Sequence, residues 1–82
     1  MSNAFVQIFA VTDARAQELI VGLLRGIRDV AVEAASCGSD CFVITECADA
    51  FQAHFIRRIV TSIDFDAKLA QTSLGPAEPM TA

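Results

Sequence analysis

The chain has 82 residues, of which 54% are apolar and 20% charged, and a formal net charge of −4. One small domain is expected, and a domain of this size buries only about 60% of the surface of its unfolded chain. Its six lysines and arginines give no basic footprint for nucleic acid, and no apolar run reaches the ~18 residues that span a bilayer. Apolar content is above, and charge below, the usual roughly 45–50% and 25%, so part of the surface is expected to be covered by something other than water. Small scaffolds need a disulfide, a metal or a partner chain, and a homo-oligomer, with a dimer favoured, is the simplest outlet. The opening MSNAFVQIFAVT carries Asn3 and Gln7 and no positive n-region, so it reads as a strand and not as a secretory signal. The expectation is a cytoplasmic protein whose three cysteines are reduced thiols.

In chain order, FVQIFAV (5–11) is short and rich in β-branched and aromatic residues, which marks a strand. TDARAQELIVGLLRGIRD follows as a helix, capped by Thr12 or Asp13 and with arginines in its last turn. Ala16, Leu19, Ile20, Leu23, Leu24 and Ile27 fall on its apolar stripe. Gly22 and Gly26 are four apart on it; Gly26 is read as ending the helix, with close approach by another helix as the alternative. VAVEAASC (30–37) and CFVITEC (41–47) are two strands joined by Gly38-Ser39-Asp40, a hairpin signal. ADAFQAHFIRRIVTSI is the second helix, with Phe51, Phe55, Ile56, Ile59 and Ile63 on one face. DAKLAQTS (66–73) is a weaker last strand, and LGPAEPMTA, with both prolines, reads as a loose tail.

The order β-α-β-β-α-β predicts an α+β fold of the ferredoxin-like kind: a four-stranded antiparallel sheet with both helices on one face. Residues 1–74 form this single domain, and 75–82 are a flexible C-terminal tail. Alternation along the strands then assigns two faces. Gln7 marks Phe5, Gln7, Phe9 and Val11 as the helix-free row of strand one, and Glu33 does the same for Ala31, Ala35 and Cys37. On strand three Phe42 and Ile44 suit the core, which leaves Cys41, Val43, Thr45 and Cys47 on the open face. The expected ligand-binding or interface surface is therefore Phe5, Gln7, Phe9, Val11, Glu33, Val43 and Thr45.

Cys37, Cys41, Cys47 and His54 have the residue types of a zinc site, but Cys41 and Cys47 lie about 20 Å apart along one strand, so no single ion takes both. No metal and no cofactor are expected. A three-residue loop would set Cys37 and Cys41 opposite one another within disulfide range, so a reversible redox pair stands beside the plain turn. Cys47 precedes a helix, where a thiolate gains stabilisation, yet His54 is two turns away, too far for a catalytic pair. Arg57 and Arg58 read as a solvated helix face, and Asp64 and Asp66 as turn chemistry.

Over residues 4–73 the layout resembles the ACT domain family of small regulatory modules. FAVTDARAQEL has their strand–Asp–helix shape around Asp13, with Ala14-Arg15-Ala16 where those domains carry a glycine-containing turn. The resemblance implies a regulatory or ligand-sensing module without catalytic activity, taking a small-molecule ligand. Two alternatives remain open. One is a small cofactor-free enzyme whose cavity forms at a dimer interface on the open sheet face, with Gln7, Glu33 and Thr45 as its polar groups. The other is a purely structural assembly subunit.

Overall fold

The computed structural model describes residues 5–74. The expected tail, 75–82, lies outside the described residues. In chain order the elements are β1 (Phe5–Val11), α1 (Ala14–Leu24), β2 (Ala31–Cys37), β3 (Asp40–Cys47), α2 (Ala50–Ile63) and β4 (Lys68–Leu74). The strands form one antiparallel sheet in the order β2-β3-β1-β4. The molecule is thus an α+β sandwich of four antiparallel strands and two helices, compatible with a ferredoxin-like fold.

Both helices begin on an aspartate. Asp13, in extended backbone, accepts from the Ala16 N–H at 2.9 Å, and Asp49 accepts from the Gln52 N–H at 2.7 Å. Each cap satisfies a donor that the first turn leaves without a partner. α1 stops at Leu24, and the Gly26 and Ile27 N–H groups fold back on the Leu23 and Leu24 carbonyls. Arg25 and Arg28 therefore lie beyond the helix and not in its last turn.

The buried stripes are rotated from those expected. α1 buries Ile20, Val21 and Leu24 and leaves Leu19 and Leu23 more than half exposed. α2 buries Ala53, Ile56 and Val60, while Phe51 is 83% and Phe55 52% exposed. Ala53 has no long side chain to hold α2 off the sheet, so the helix seats on that line and its phenylalanines fall to the flank.

The helix residues close over Phe9, Val11, Val43 and Cys47 in a single buried cluster, so both helices cover the same face of the sheet. That face is the opposite of the one expected. Phe9 (1% exposed), Val11, Val43, Thr45 and Gln7 are buried beneath the helices, and Phe5 packs against the same core. Of the seven residues expected on the open face, Glu33 alone stays there. Two things account for it: Gln7 is buried and not wet, and the hairpin loop is one residue shorter than expected. The loop is two residues, Gly38-Ser39, with Gly38 at φ 65°, as a turn with glycine in the first central position requires. Cys37 then pairs with Asp40, and Cys41 with Ser36. A slip of one residue moves a whole strand's side chains to the other face. Glu33's row consequently shares its face with Phe42, Ile44 and Glu46, and Val43 and Thr45 pair with Phe9 and Gln7 on the covered side.

Candidate interaction surface

The open face that results is apolar, and aliphatic apart from Phe42. Val6, Ile8 and Ala10 of β1 lie beside Phe42 and Ile44 of β3, with Ala35 of β2 next in line, all half-buried. Its charges are peripheral: Glu33 and Glu46 at one corner, Asp40 at the hairpin and Lys68 opposite Ala10 on β4, all exposed. A shallow groove of about 220 Å³ runs among Val6, Ala31, Glu33, Ile44 and Glu46.

The two edges of the sheet differ more sharply. β4 carries Lys68 and a register shift beside Leu69, where one extra residue interrupts its pairing with β1. Lysine and bulges are devices that keep an edge from pairing with another chain. β2 has neither: AVEAASC runs seven residues in regular register, without proline or lysine and with Glu33 as its one charge. The outward groups of β2 follow from one contact. The Gln17 side-chain amide donates to both the Ala35 and Phe42 carbonyls at 2.9 Å. Two carbonyls converge in this way only in a pair that exchanges both its backbone hydrogen bonds. Ala35 therefore points its N–H and C=O at β3, and by alternation Val32, Ala34 and Ser36 point theirs away from the sheet. Above this edge a groove of about 440 Å³ lies between α1 and β2, lined by Ala14, Glu18, Val21, Gly22, Arg25 and Ala34.

The cysteines do not converge. Cys37 is exposed on the open face, whereas Cys41 and Cys47 belong to the covered row, so a Cys37–Cys41 redox pair is ruled out by the register. Cys47 is not an activated thiol either. It is buried, its Sγ donates to the Asp49 carbonyl at 3.6 Å, and burial pushes its pKa up, with the Asp49 and Glu46 charges adding to the rise. A backbone hydrogen bond from Asp49 to the sulfur acts in the lowering direction and is outweighed by burial. Among the described residues no group of three or more His, Cys, Asp or Glu side chains gathers as a metal site. His54, Arg57 and Arg58 are exposed on α2.

Two features were not visible in the sequence. Asp64 is buried at the end of α2, where its carboxylate accepts from the Thr12 N–H at 2.7 Å and the Thr12 hydroxyl at 3.0 Å. It ties the end of α2 to the start of α1 across 52 residues, and no local pattern announces such a contact. Gln7 and Thr45, paired across the two central strands, each bury a side-chain oxygen that finds no hydrogen-bond partner among the described residues. No helix among the described residues is long and apolar enough to cross a membrane. No family model, curated protein or solved structure matches the chain.

Proposed function

We propose that this chain is a non-catalytic, ferredoxin-like pairing module of the cytoplasm, similar in role to ACT-like regulatory domains, which works as a homodimer joined through β2. The observation that carries this reading is the unguarded β2 edge beside a guarded β4 edge. An edge with free N–H and C=O groups is a template for another strand, and proteins that do not use one protect it. A ligand-sensing or regulatory role fits a module whose two copies share one continuous sheet. The enzyme reading relied on Gln7, Glu33 and Thr45 as polar groups of an open cavity, and of these Gln7 and Thr45 lie in the core.

The test is the solution mass of the parent and of Ala34→Pro, by light scattering at micromolar concentration. Proline at an outward-pointing edge position removes a donor that the chain's own ladder does not use. The parent is expected at the mass of two chains and Ala34→Pro at that of one, with an unchanged circular dichroism spectrum. A parent at the mass of one chain overturns the reading.

A further inference from the structure

Each layer of the molecule, helices and sheet, is apolar on its outer side as well as on its inner one. We propose that the helix layer of one copy docks on the open sheet face of another, so that copies of this chain stack head to tail through surfaces separate from the β2 edge.

In the sheet, β1 is apolar at every position except Gln7, and its apolar residues divide between the two faces. A strand with one wet face alternates, whereas a near-continuous apolar run belongs to a sheet covered by helices on both sides. Val6, Ile8 and Ala10, joined by Phe42 and Ile44 of β3, therefore form a face built to be covered, and helices are what cover such a face.

The helices carry the matching surface. Leu19 and Leu23 of α1 and Phe51 and Phe55 of α2 are each more than half exposed. They share one outer seam. The groove above β2 takes the flank of α1 that holds Ala14, Glu18, Val21 and Arg25, which leaves Leu19 and Leu23 on the flank toward α2. The Gln52 side chain donates to the Arg28 carbonyl just beyond α1 at 3.4 Å, so this flank of α2 faces α1. Phe55 is one turn further along that flank, and Phe51 is one turn before Phe55. At about 200 Å² for a phenylalanine side chain and slightly less for a leucine, these side chains expose roughly 400 Å² of apolar surface. That is on the order of the apolar share, a little over half, of the ~800 Å² that each partner gives to a stable interface.

Charge selects which surfaces meet. Arg15 lies one turn before Leu19 and Arg58 one turn after Phe55, so arginines continue both apolar rows. With Arg25 and Arg57 they stand against Glu18 as the one acid between the caps of the two helices. The open sheet face has the reverse balance, with Glu33, Asp40 and Glu46 at its margins against Lys68. Two helix layers, or two sheet faces, would set like charges together, which suppresses those pairings. A helix layer on a sheet face sets arginines against carboxylates and an apolar centre against an apolar centre. The contact joins two different surfaces, so it is heterologous, and the stack lengthens with concentration.

Ala34→Pro, which blocks the edge, isolates this contact. In sedimentation velocity it is expected to pass from the mass of one chain at micromolar concentration to larger, concentration-dependent masses at millimolar concentration, and less so at high salt. Phe51→Asp/Phe55→Asp and Glu33→Arg/Glu46→Arg, all at exposed positions, are added separately to that background. Each is expected to weaken association about tenfold or more. Mixed together, the two variants are expected to form a pair with one copy of each and nothing larger, because one retains the sheet face and the other the helix layer. If mixing restores no pair, the stacking is overturned. Loss with the phenylalanine variant while Glu33→Arg/Glu46→Arg is silent would mean that two helix layers meet, and also overturns it. Ala34→Pro at the mass of one chain at millimolar concentration overturns the stacking and leaves the edge reading standing. Binding of that monomer to phosphatidylserine vesicles, lost in Phe51→Asp/Phe55→Asp, would then give the helix layer to a lipid surface in place of a second copy.

Discussion

The central ladder of β1 and β3 supplies both faces of the sheet, and the two faces differ in a way that polarity alone misreads. The covered row holds Phe9, Val11, Val43 and Cys47, and with them Gln7 and Thr45. The open row holds Val6, Ile8, Ala10, Phe42 and Ile44. The polar residues of these strands' centres are on the dry side, and apolar residues are on the side that no helix covers. What selects the face is register and volume. The two-residue hairpin fixes which residues align, and the row containing Phe9 is the one that Ile20, Leu24, Ile56 and Val60 close over.

The largest effect separates neighbours on β1. Phe9→Ala removes a fully buried ring and is expected to cost about 3–5 kcal/mol, whereas Ile8→Ala, one residue away and half-buried, is expected to cost about 1 kcal/mol or less in the isolated chain. Small domains have total stabilities of only about 5–15 kcal/mol, so Phe9→Ala brings the chain close to unfolding. Urea titration at a concentration where the chain is monomeric measures both. Equal losses would mean that the two rows are equally buried and would break the comparison.

Next is the latch that closes the covered side at one end. Asp64→Ala leaves the Thr12 N–H and hydroxyl without their acceptor and is expected to cost about 1–3 kcal/mol. Asp66→Ala, at an exposed position, should stay within about 0.5 kcal/mol. A difference below 0.5 kcal/mol between the two variants would show that Asp64 does not hold the helices together.

How much was legible in the sequence can be traced residue by residue. The element order and both strands of the hairpin follow from β-branched runs and turn residues. Asp13 is visible as a cap because capping is local. Glu33 marked its face correctly because a charge on a strand goes to water. Gln7 misled because an amide, unlike a carboxylate, tolerates burial at modest cost. The hairpin misled through counting: Gly38 in the left-handed region closes a loop of two residues, and the third, Asp40, already belongs to β3. Gln7 inverted the assignment for β1 and the apolar Phe42 and Ile44 inverted it for β3, while the extra loop residue let Glu33's row agree with both. The stripe of α2 was displaced because periodicity gives a face to within a flank, while Ala53 decides where the helix touches. The edge surface was legible only in outline, since the contrast between β2 and β4 depends on a bulge that propensity does not reveal.

Gln7 and Thr45 sharpen the comparison from the other direction. Their buried oxygens have no partner among the described residues, so replacing the pair with apolar groups of similar shape should remove a desolvation cost. Gln7→Leu/Thr45→Val is expected to stabilise the chain by about 1 kcal/mol in the same titration. A loss of stability instead would mean that the two side chains satisfy one another and belong to the core as a polar pair.

The smallest effects belong to the thiols, which report the faces without disturbing them. Cys37 lies on the open row, Cys41 is half-buried and Cys47 is buried, so a neutral thiol reagent should modify them in that order. Oxidation should yield no Cys37–Cys41 bridge within a chain, because the two side chains point to opposite faces. Cys37→Ser should change stability by about 0.5 kcal/mol or less. Cys47 adds a pH dependence whose sign follows from its raised pKa. The unfolded chain ionises this thiol at its ordinary value of about 8.5, while the folded chain keeps the proton to higher pH. Its contribution is therefore fully present below the ordinary value and is lost as pH rises through the raised one, because the unfolded state is favoured by ionising first. Unfolding titrations at pH 7, 9 and 10 should show the parent losing stability relative to Cys47→Ala as pH rises. A parent that gains stability relative to Cys47→Ala over that range would mean a thiolate stabilised at the start of α2. Faster labelling of Cys41 than of Cys37 would mean that the hairpin closes on three residues, and the two faces would have to be exchanged.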